Sequence, residues 1–141
     1  MSKSYLKWQD IRITQLGYAN NLIIALAIAL LGFTIKFIQT EDLILSNFQK
    51  VLFWIICALI IISIGLGIFV VLNRLEDFKL TAQIARKRET NERDGIENDR
   101  LDSKKLGKKT WNCFIWQIVT FLVSFLCLLI LVLISLKEII T

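Results

Sequence analysis

The stretch of sequence that decides the fold is VLFWIICALIIISIGLGIFVVLNRLEDFKLTAQIARKR, residues 51–88. Its first part, residues 51–72, contains no charged side chain, whereas charged residues recur at helical spacing from Arg74 onward. Neither proline nor glycine stands at the change, and the whole chain lacks proline. Because nothing interrupts a helix there, the pattern predicts one helix that runs from an apolar segment straight into a polar one.

The chain is too apolar for a soluble domain of its size. It has 141 residues, of which 55% are hydrophobic, and its mean hydropathy is +0.61. A small globule exposes a large share of its surface and could not bury so much apolar material. Apolar runs of about 20 residues instead match the roughly 30 Å hydrocarbon layer of a bilayer, at about 1.5 Å per residue. The composition therefore predicts an integral membrane protein.

Three apolar runs, residues 22–38, 51–72 and 114–136, are long enough to cross a bilayer. The strings Ala25-Leu26-Ala27 and Ala27-Ile28-Ala29 are similar to signal-peptide cleavage sites, but they lie inside the first run, so we expect a retained span. The predicted order is an amphipathic N-terminal segment (1–20), a span (21–38), a short external loop (39–50), a span (51–72), a cytoplasmic helical hairpin (73–110), a span (111–136) and an external tail (137–141).

The basic residues outside the spans predict the orientation. Residues 1–20 carry three of them, and residues 39–50 carry one together with two acids, whereas residues 73–110 carry eleven. We therefore expect the N-terminus and residues 73–110 in the cytoplasm, with the C-terminus on the other side of the membrane. Residues 73–110 also carry eight acids, so the net charge of +5 reflects topology and predicts no direct nucleic-acid binding.

Two segments are expected to meet the membrane surface. Residues 1–20 are amphipathic, with Trp8 and Tyr18 suited to headgroup depth, and they fit either a plain surface anchor or a lipid sensor. Ser46 and Gln49 have the spacing of a capping box. This motif predicts that the second helix starts just outside the bilayer.

A narrow apolar stripe continues the second span into the hairpin. Its residues are spaced 3, 4 and 3 apart, as in a coiled-coil seam. We expect the helix to project about four turns, roughly 24 Å at 1.5 Å per residue. Asp94-Gly95 should then reverse the chain, so that residues 97–110 pack on the seam, with a second chain supplying apolar surface that this arm lacks. The predicted contact residues are Leu75, Phe78, Ala82, Ala85, Arg86 and Arg88.

The first span carries a stripe of small residues with polar ends. The stripe consists of Asn21, Ala25, Ala29, Gly32 and Lys36. Small residues allow a second helix to approach closely, so the stripe predicts helix packing, as do Ser63 and Gly67 in the second span. Lys36 has two interpretations: it snorkels to the interface, or it faces a pore or anion path.

The third span carries a polar stripe on a single helical face. Its residues are Cys113, Gln117, Thr120, Ser124 and Cys127. Hydroxyl groups can bond to their own helix carbonyls, but the amide of Gln117 needs partners or water. Two interpretations stay open: the stripe is a buried helix–helix contact, or it lines a hydrated path along the axis of an oligomer.

No catalytic or cofactor site is predicted. The chain has no histidine, and no phosphate loop, metal-ligand cluster or nucleophile motif is recognisable. Three cysteines, Cys57, Cys113 and Cys127, lie in or beside the spans and are expected to pack as small apolar side chains. Acids of the hairpin stand three or four residues from bases, which is typical of solvated helix pairs; the pairs are Glu89 with Arg93, Glu97 with Arg100 and Asp102 with Lys105. We expect neither an enzyme nor a cofactor.

Four segments carry a resemblance to known proteins. They are WQDIR (8–12), YANN (18–21), NRLEDFKLTA (73–82) and KKTW (108–111), and they resemble a group of small bacterial inner-membrane proteins of no assigned activity. The layout, with spans flanking a cytosolic helical segment, is also similar to SLATT-type effectors of anti-phage and other conflict systems. Those effectors are proposed to perforate the membrane when a cytosolic sensor signals. Those effectors usually have two spans, whereas three are predicted here, so the similarity is one of layout alone. It implies an effector function and transfers no site residue.

These observations lead to two hypotheses of function. The first is a homo-oligomeric pore or channel-type effector, gated through the hairpin by a cytosolic sensor or inhibitor protein. The second is a non-conducting scaffold or accessory subunit that recruits a soluble partner through Leu75, Phe78 and the basic loop. A third class, a lipid-modifying enzyme, would require an activity that depends on an acid of the loop.

Overall fold

The computed structural model describes residues 3–39, 46–90 and 95–140, with all side chains except those of residues 3–10, 12 and 138–140. Three helices account for nearly all of these residues: α1 (Lys3–Ile38), α2 (Asn47–Glu89) and α3 (Ile96–Ile140). Each is long and apolar enough to cross a membrane, and the described ranges contain no strand. The predicted fold class, an all-α protein with three spans, is therefore confirmed. The protein is a multi-pass helical membrane protein.

The helix α2 is one unbroken rod of 43 residues. At about 1.5 Å per residue it is roughly 65 Å long, about twice the thickness of the hydrocarbon layer. Its start is the predicted capping box: the Gln49 N–H donates to Ser46 Oγ at 3.4 Å, and the Ser46 N–H donates to Gln49 Oε1 at 2.7 Å. The expected continuation of the second span into the polar segment is confirmed.

A turn at Gly95 precedes the return helix. Gly95 has a φ of +79°, the left-handed conformation that glycine adopts without strain, while Asp94 lies outside the described residues. The helix α3 then begins with acids in its first turn, Glu97 and Asp99, which the positive end of the helix dipole favours. We refer to residues 73–90 and 95–110 together as the polar hairpin.

Polar side chains tie the two arms of the polar hairpin together. Lys87 Nζ donates to Asp99 Oδ2 at 2.7 Å near the tip, and Ser103 Oγ donates to Asp77 Oδ1 at 2.6 Å further down. Lower still, Lys109 Nζ lies 4.9 Å from the centre of the Phe69 ring, a cation–π contact. The arms are thus joined from the tip to the edge of the apolar segment.

The return arm packs on a different face of α2 from the predicted one. Buried residues of that face include Asn73 and Ile84, whereas all six predicted contact residues are exposed in the single chain: Leu75, Phe78, Ala82, Ala85, Arg86 and Arg88. The expectation that the return arm covers this seam is wrong. Inward-facing residues recur every seven positions from the span into the polar hairpin, at Val70, Asp77 and Ile84, so the packed face winds around α2 as in a coiled coil.

The helix α1 packs mainly against α2, and less against α3. It is continuous from Lys3, so residues 3–20 prolong the first span on the side of the polar hairpin instead of lying across its end. Arg74, two residues beyond the apolar run of α2, contacts α1 at Ile13. Tyr18 is exposed, and the side chain of Trp8 lies outside the described residues.

Inside the spans, polar groups face inward and large apolar groups face outward. Thr34 and Ser135 are buried and donate to backbone oxygens of Leu30 and Leu131 in their own helices, at 2.7 Å and 3.0 Å. The buried apolar core is small and consists of Ala27, Ile56, Ile60, Leu128 and Leu131. This arrangement is the expected one for helices that contact lipid on their outer faces.

Candidate functional site

The three helices meet at a cluster that we call the polar junction, formed by Asn20 of α1, Ser63 and Gly67 of α2, and Gln117 of α3. All four residues are buried. Asn20 Nδ2 donates to the Gly67 carbonyl oxygen at 3.2 Å, and Ser63 Oγ donates to the Gln117 carbonyl oxygen at 3.0 Å. One hydrogen bond thus joins α1 to α2, and another joins α2 to α3.

Gly67 makes this close approach possible. A Cβ atom at Gly67 would lie 2.5 Å from Gln117 Nε2 and 2.7 Å from Ile24 Cγ1. Side chains of α1 and α3 therefore lie directly over the backbone of α2, as small residues in membrane helices allow. Gly65, two residues earlier, has no such neighbour within 4 Å. Ser63 and Gly67, whose spacing predicted helix packing, both lie at contacts with a neighbouring helix.

The amide of Gln117 has no hydrogen-bond partner among the groups that the structure describes. Both Nε2 and Oε1 are buried and unpaired, and Asn20 Oδ1 of the same junction is unpaired as well. Leaving a buried polar group unsatisfied costs about 1–3 kcal/mol, and such groups in membrane spans are typically functional. The polar junction is therefore the candidate functional site.

The polar stripe of α3 lies within the packing of the chain for part of its length. Gln117 and Ser124 are fully buried, whereas Thr120, Cys113 and Cys127 are half-buried. Thr120 Oγ1 donates to backbone oxygens of Trp116 and Gln117, and Ser124 Oγ donates to the Phe121 carbonyl oxygen at 2.7 Å. In this arrangement Gln117 and Ser124 face helices of their own chain.

The small-residue stripe of α1 lies on the opposite side from the packed face. All five of its residues are exposed, and a Cβ atom at Gly32 would meet nothing within 4 Å. The packed face of α1 instead carries Asn20, Ala27 and Thr34. Their spacing of seven residues is the signal that could have identified this face.

Arg74 is a contact that the sequence pattern did not reveal. Its Nη2 donates to the Ile13 carbonyl oxygen of α1 at 2.6 Å. A Cβ atom at Gly17 would lie 2.7 Å from Arg74 Nη1, so the absence of a side chain there gives the guanidinium its place. The charge pattern of the sequence predicts no contact between Arg74 and the first helix.

The remaining predicted pairs and cysteines occupy ordinary positions. Asp102 and Lys105 form the predicted ion pair at 3.3 Å. Glu97 and Arg100 form no ion pair within the described ranges, and Arg93 lies outside them. Cys57 is buried and the other two cysteines are half-buried, all of them as free thiols. No group of three His, Cys, Asp or Glu residues in the described part of the chain could hold a metal ion.

Comparisons with known proteins find no match for this chain among protein-family models, curated proteins or solved structures.

Proposed function

We propose that the protein is a homo-oligomeric, pore-type effector of the bacterial inner membrane, without enzymatic activity, of the kind used in anti-phage systems. A cytosolic sensor or inhibitor protein biases it through the polar hairpin. The observation that carries this proposal is the buried, unpaired amide of Gln117 at the junction of three helices. An unpaired amide favours an alternative arrangement in which it reaches water.

The described arrangement corresponds to the closed state. Gln117 Nε2 lies against the backbone of α2 at Gly67, where Ile24 of α1 packs as well. Separation of α1 from the α2–α3 pair would uncover the amide together with Asn20. Since α1 packs less extensively than α2 and α3 pack with each other, α1 is the helix whose displacement costs least.

The polar hairpin is suited to pass a signal to this junction. Its arms are joined by Lys87–Asp99 at 2.7 Å and Asp77–Ser103 at 2.6 Å, and both continue without a break into the spans. The hydrogen bond from Ser63 to Gln117 lies on the same pair of helices. A partner that changes the spacing or tilt of the arms therefore acts on the contacts beside Gln117.

Several copies are needed, because three spans do not enclose a hydrated path alone. The exposed stripe of α1, with Ala25, Ala29 and Gly32 at its centre, offers a surface on which helices of neighbouring copies could pack closely. Asn21 and Lys36 stand at its ends. We assign this stripe as the interface between the copies of the oligomer. The excess of basic residues in the polar hairpin favours the cytoplasmic side for the hairpin in this proposal.

Ion flux from proteoliposomes tests the proposal. The oligomeric wild-type protein should release a trapped ion after addition of cytosol from stressed cells, and Gln117→Leu should remove the release while leaving the oligomer intact. Gln83→Leu is the matched control, because Gln83 is an exposed residue of the polar hairpin, and it should conduct like the wild type. Equal flux from the wild type and Gln117→Leu would exclude a role of the junction in conduction.

A second candidate function is a non-conducting scaffold that recruits a soluble protein. It is favoured by two large apolar side chains that stand close together on the α2 arm of the polar hairpin and are uncovered, Leu75 at 54% and Phe78 at 55% exposure, next to the exposed Ala82. A soluble protein that copurifies with the wild type and is lost with Ala82→Glu, but not with the neighbouring Gln83→Glu, would support the scaffold. If, in addition, the oligomer releases no trapped ion under any condition, the scaffold replaces the pore as the proposed function.

A further inference from the structure

An open crevice of about 190 Å³ lies between α1 and α2 beside Arg74. Asn20 and Asn21 line it on the side of α1, and Val71, Leu75 and Phe78 line it on the side of α2. The apolar run of α2 ends at residue 72, so the crevice lies at the boundary between hydrocarbon and headgroups. From residue 71 to residue 78 it extends roughly 10 Å along the helix axis, at about 1.5 Å per residue.

Arg74 presents unused hydrogen-bond donors to this crevice. One of its N–H groups donates to the Ile13 carbonyl oxygen at 2.6 Å, whereas a guanidinium has five N–H donors in all. Arg74 forms no ion pair with any carboxylate in the described ranges, although it is half-buried. A partly desolvated guanidinium without an acid is suited to a phosphate, which accepts two parallel N–H bonds.

The other walls of the crevice are suited to the rest of an amphiphile. Val71, Leu75 and Phe78 are large apolar side chains that the chain leaves exposed, and their line leads from headgroup depth toward the hydrocarbon layer. Asn21, on the opposite wall, is exposed, and its side-chain amide is suited to a headgroup hydroxyl. Phosphate, hydroxyl and acyl chain thus each have a complementary surface.

We propose that this crevice binds one anionic phospholipid of the leaflet on the side of the polar hairpin. The lipid phosphodiester accepts hydrogen bonds from Arg74, the first carbons of an acyl chain lie along Val71, and Leu75 and Phe78 contact the glycerol and headgroup carbons. The membrane itself supplies this ligand at high local concentration, and basic residues near the surface attract anionic lipids. The inference goes beyond the proposed function and does not depend on whether the protein conducts.

Native mass spectrometry of the purified full chain tests the site. The protein in detergent is incubated with equimolar phosphatidylglycerol and phosphatidylcholine, and the lipid retained per chain is counted. The wild type should retain one phosphatidylglycerol per chain and little phosphatidylcholine. Arg74→Gln should lower the retained phosphatidylglycerol at least about fivefold, a loss of roughly 1 kcal/mol. Arg86→Gln, at an exposed arginine near the hairpin tip, is the matched control and should retain it fully.

A second pair of variants keeps the test valid if Arg74→Gln loosens α1. Phe78→Gln leaves the bond between Arg74 and Ile13 in place and removes only the apolar wall, so retention should fall. Leu101→Gln is its control, because Leu101 is equally exposed, at 54%, on the other arm of the polar hairpin.

Three results would overturn the proposal. The first is undiminished retention of phosphatidylglycerol by both Arg74→Gln and Phe78→Gln, and the second is equal retention of phosphatidylcholine by the wild type. The third is displacement of the lipid by inorganic phosphate at about 10 mM, which would show that Arg74 binds a free anion. A free-anion site would use Arg74 alone, so loss of binding with Phe78→Gln supports the lipid.

Discussion

The two ends of the α2–α3 pair, one in the spans and one in the polar hairpin, pack through different kinds of side chains. In the spans, the facing surfaces carry small and polar groups such as Ser63, Gly67 and Gln117, while apolar side chains point outward. In the polar hairpin the arms are joined by charged and hydroxyl groups, and three large apolar side chains, Leu75, Phe78 and Leu101, remain outside. The inward-facing positions keep a seven-residue spacing across the boundary, at Val70, Asp77 and Ile84. The difference teaches that one repeat sets the packed face on both sides of the boundary, whereas the solvent around the helices changes.

The largest effect is expected where the helices are closest. Gly67→Ala places a methyl group 2.5 Å from Gln117 Nε2 and 2.7 Å from Ile24 Cγ1. Overpacking of this kind lowers the free energy of unfolding by about 1–3 kcal/mol, measurable by denaturation in mixed micelles. Gly65→Ala, which meets nothing within 4 Å, should leave it unchanged or raise it by up to about 1 kcal/mol. Equal effects at the two glycines would show that the junction is not close-packed.

Gln117→Leu should have an effect of the opposite sign. The substitution replaces an unpaired buried amide with an apolar group of similar volume, so the free energy of unfolding in micelles should rise by about 1–2 kcal/mol. Together with the loss of flux, this gain would identify a residue retained for function at a cost in stability. A decrease would show that the amide is satisfied in the folded protein.

Two serine substitutions compare the spans with the polar hairpin directly. Ser63→Ala removes a hydrogen bond between two helices inside the membrane, and Ser103→Ala removes one to a carboxylate in the polar hairpin. Hydrogen bonds between membrane helices are worth about 0.6 kcal/mol on average, so we expect a decrease of that size for Ser63→Ala. Only Ser103→Ala should speed amide hydrogen exchange near the hairpin tip. Faster exchange at the tip in both variants would mean that the two regions unfold as one unit.

The smallest effect is expected at the ion pair of the tip. Lys87 and Asp99 are 2.7 Å apart, with side chains 32% and 20% exposed. A double-mutant cycle with Lys87→Gln and Asp99→Asn should give a coupling energy of about 0.2–1 kcal/mol. The coupling should shrink at 1 M salt, where the screening length falls to about 3 Å. A coupling that does not respond to salt would place the pair in a drier environment than its exposure indicates.

The sequence was sufficient to predict the three spans and the course of α2, but not that α1 begins at Lys3 or that α3 extends to Ile140. Three helices, the capping box at Ser46 and Gln49, the turn at Gly95 and the continuity of α2 all follow from local patterns, and the structure confirms them. These features depend on residues that are close together in the chain. Backbone geometry and capping hydrogen bonds determine them largely without regard to neighbouring helices.

The rotation of each helix could not be predicted in the same way. In lipid, apolar residues do not mark the inner face, so a stripe of small or polar residues is compatible with either side. The stripe of α3 has Gln117 inside the chain, whereas the equally regular stripe of α1 has Gly32 outside. In the polar hairpin, Leu75 and Phe78 were the most apolar candidates for the seam. The seven-residue spacing that runs from Val70 through Asp77 places Ile84 there instead.

The length of α2 has a mechanical consequence. From the middle of its apolar run to Glu89 the helix extends roughly 40 Å at about 1.5 Å per residue, with no proline to absorb bending. A change in tilt of about 10°, well within the range that membrane helices adopt when bilayer thickness varies, would swing the far end by roughly 7 Å. Tilting of α2 within the membrane therefore moves its far end much farther than the part inside the bilayer. Thinning of the bilayer would in this way produce a displacement that is large enough for a soluble protein to detect.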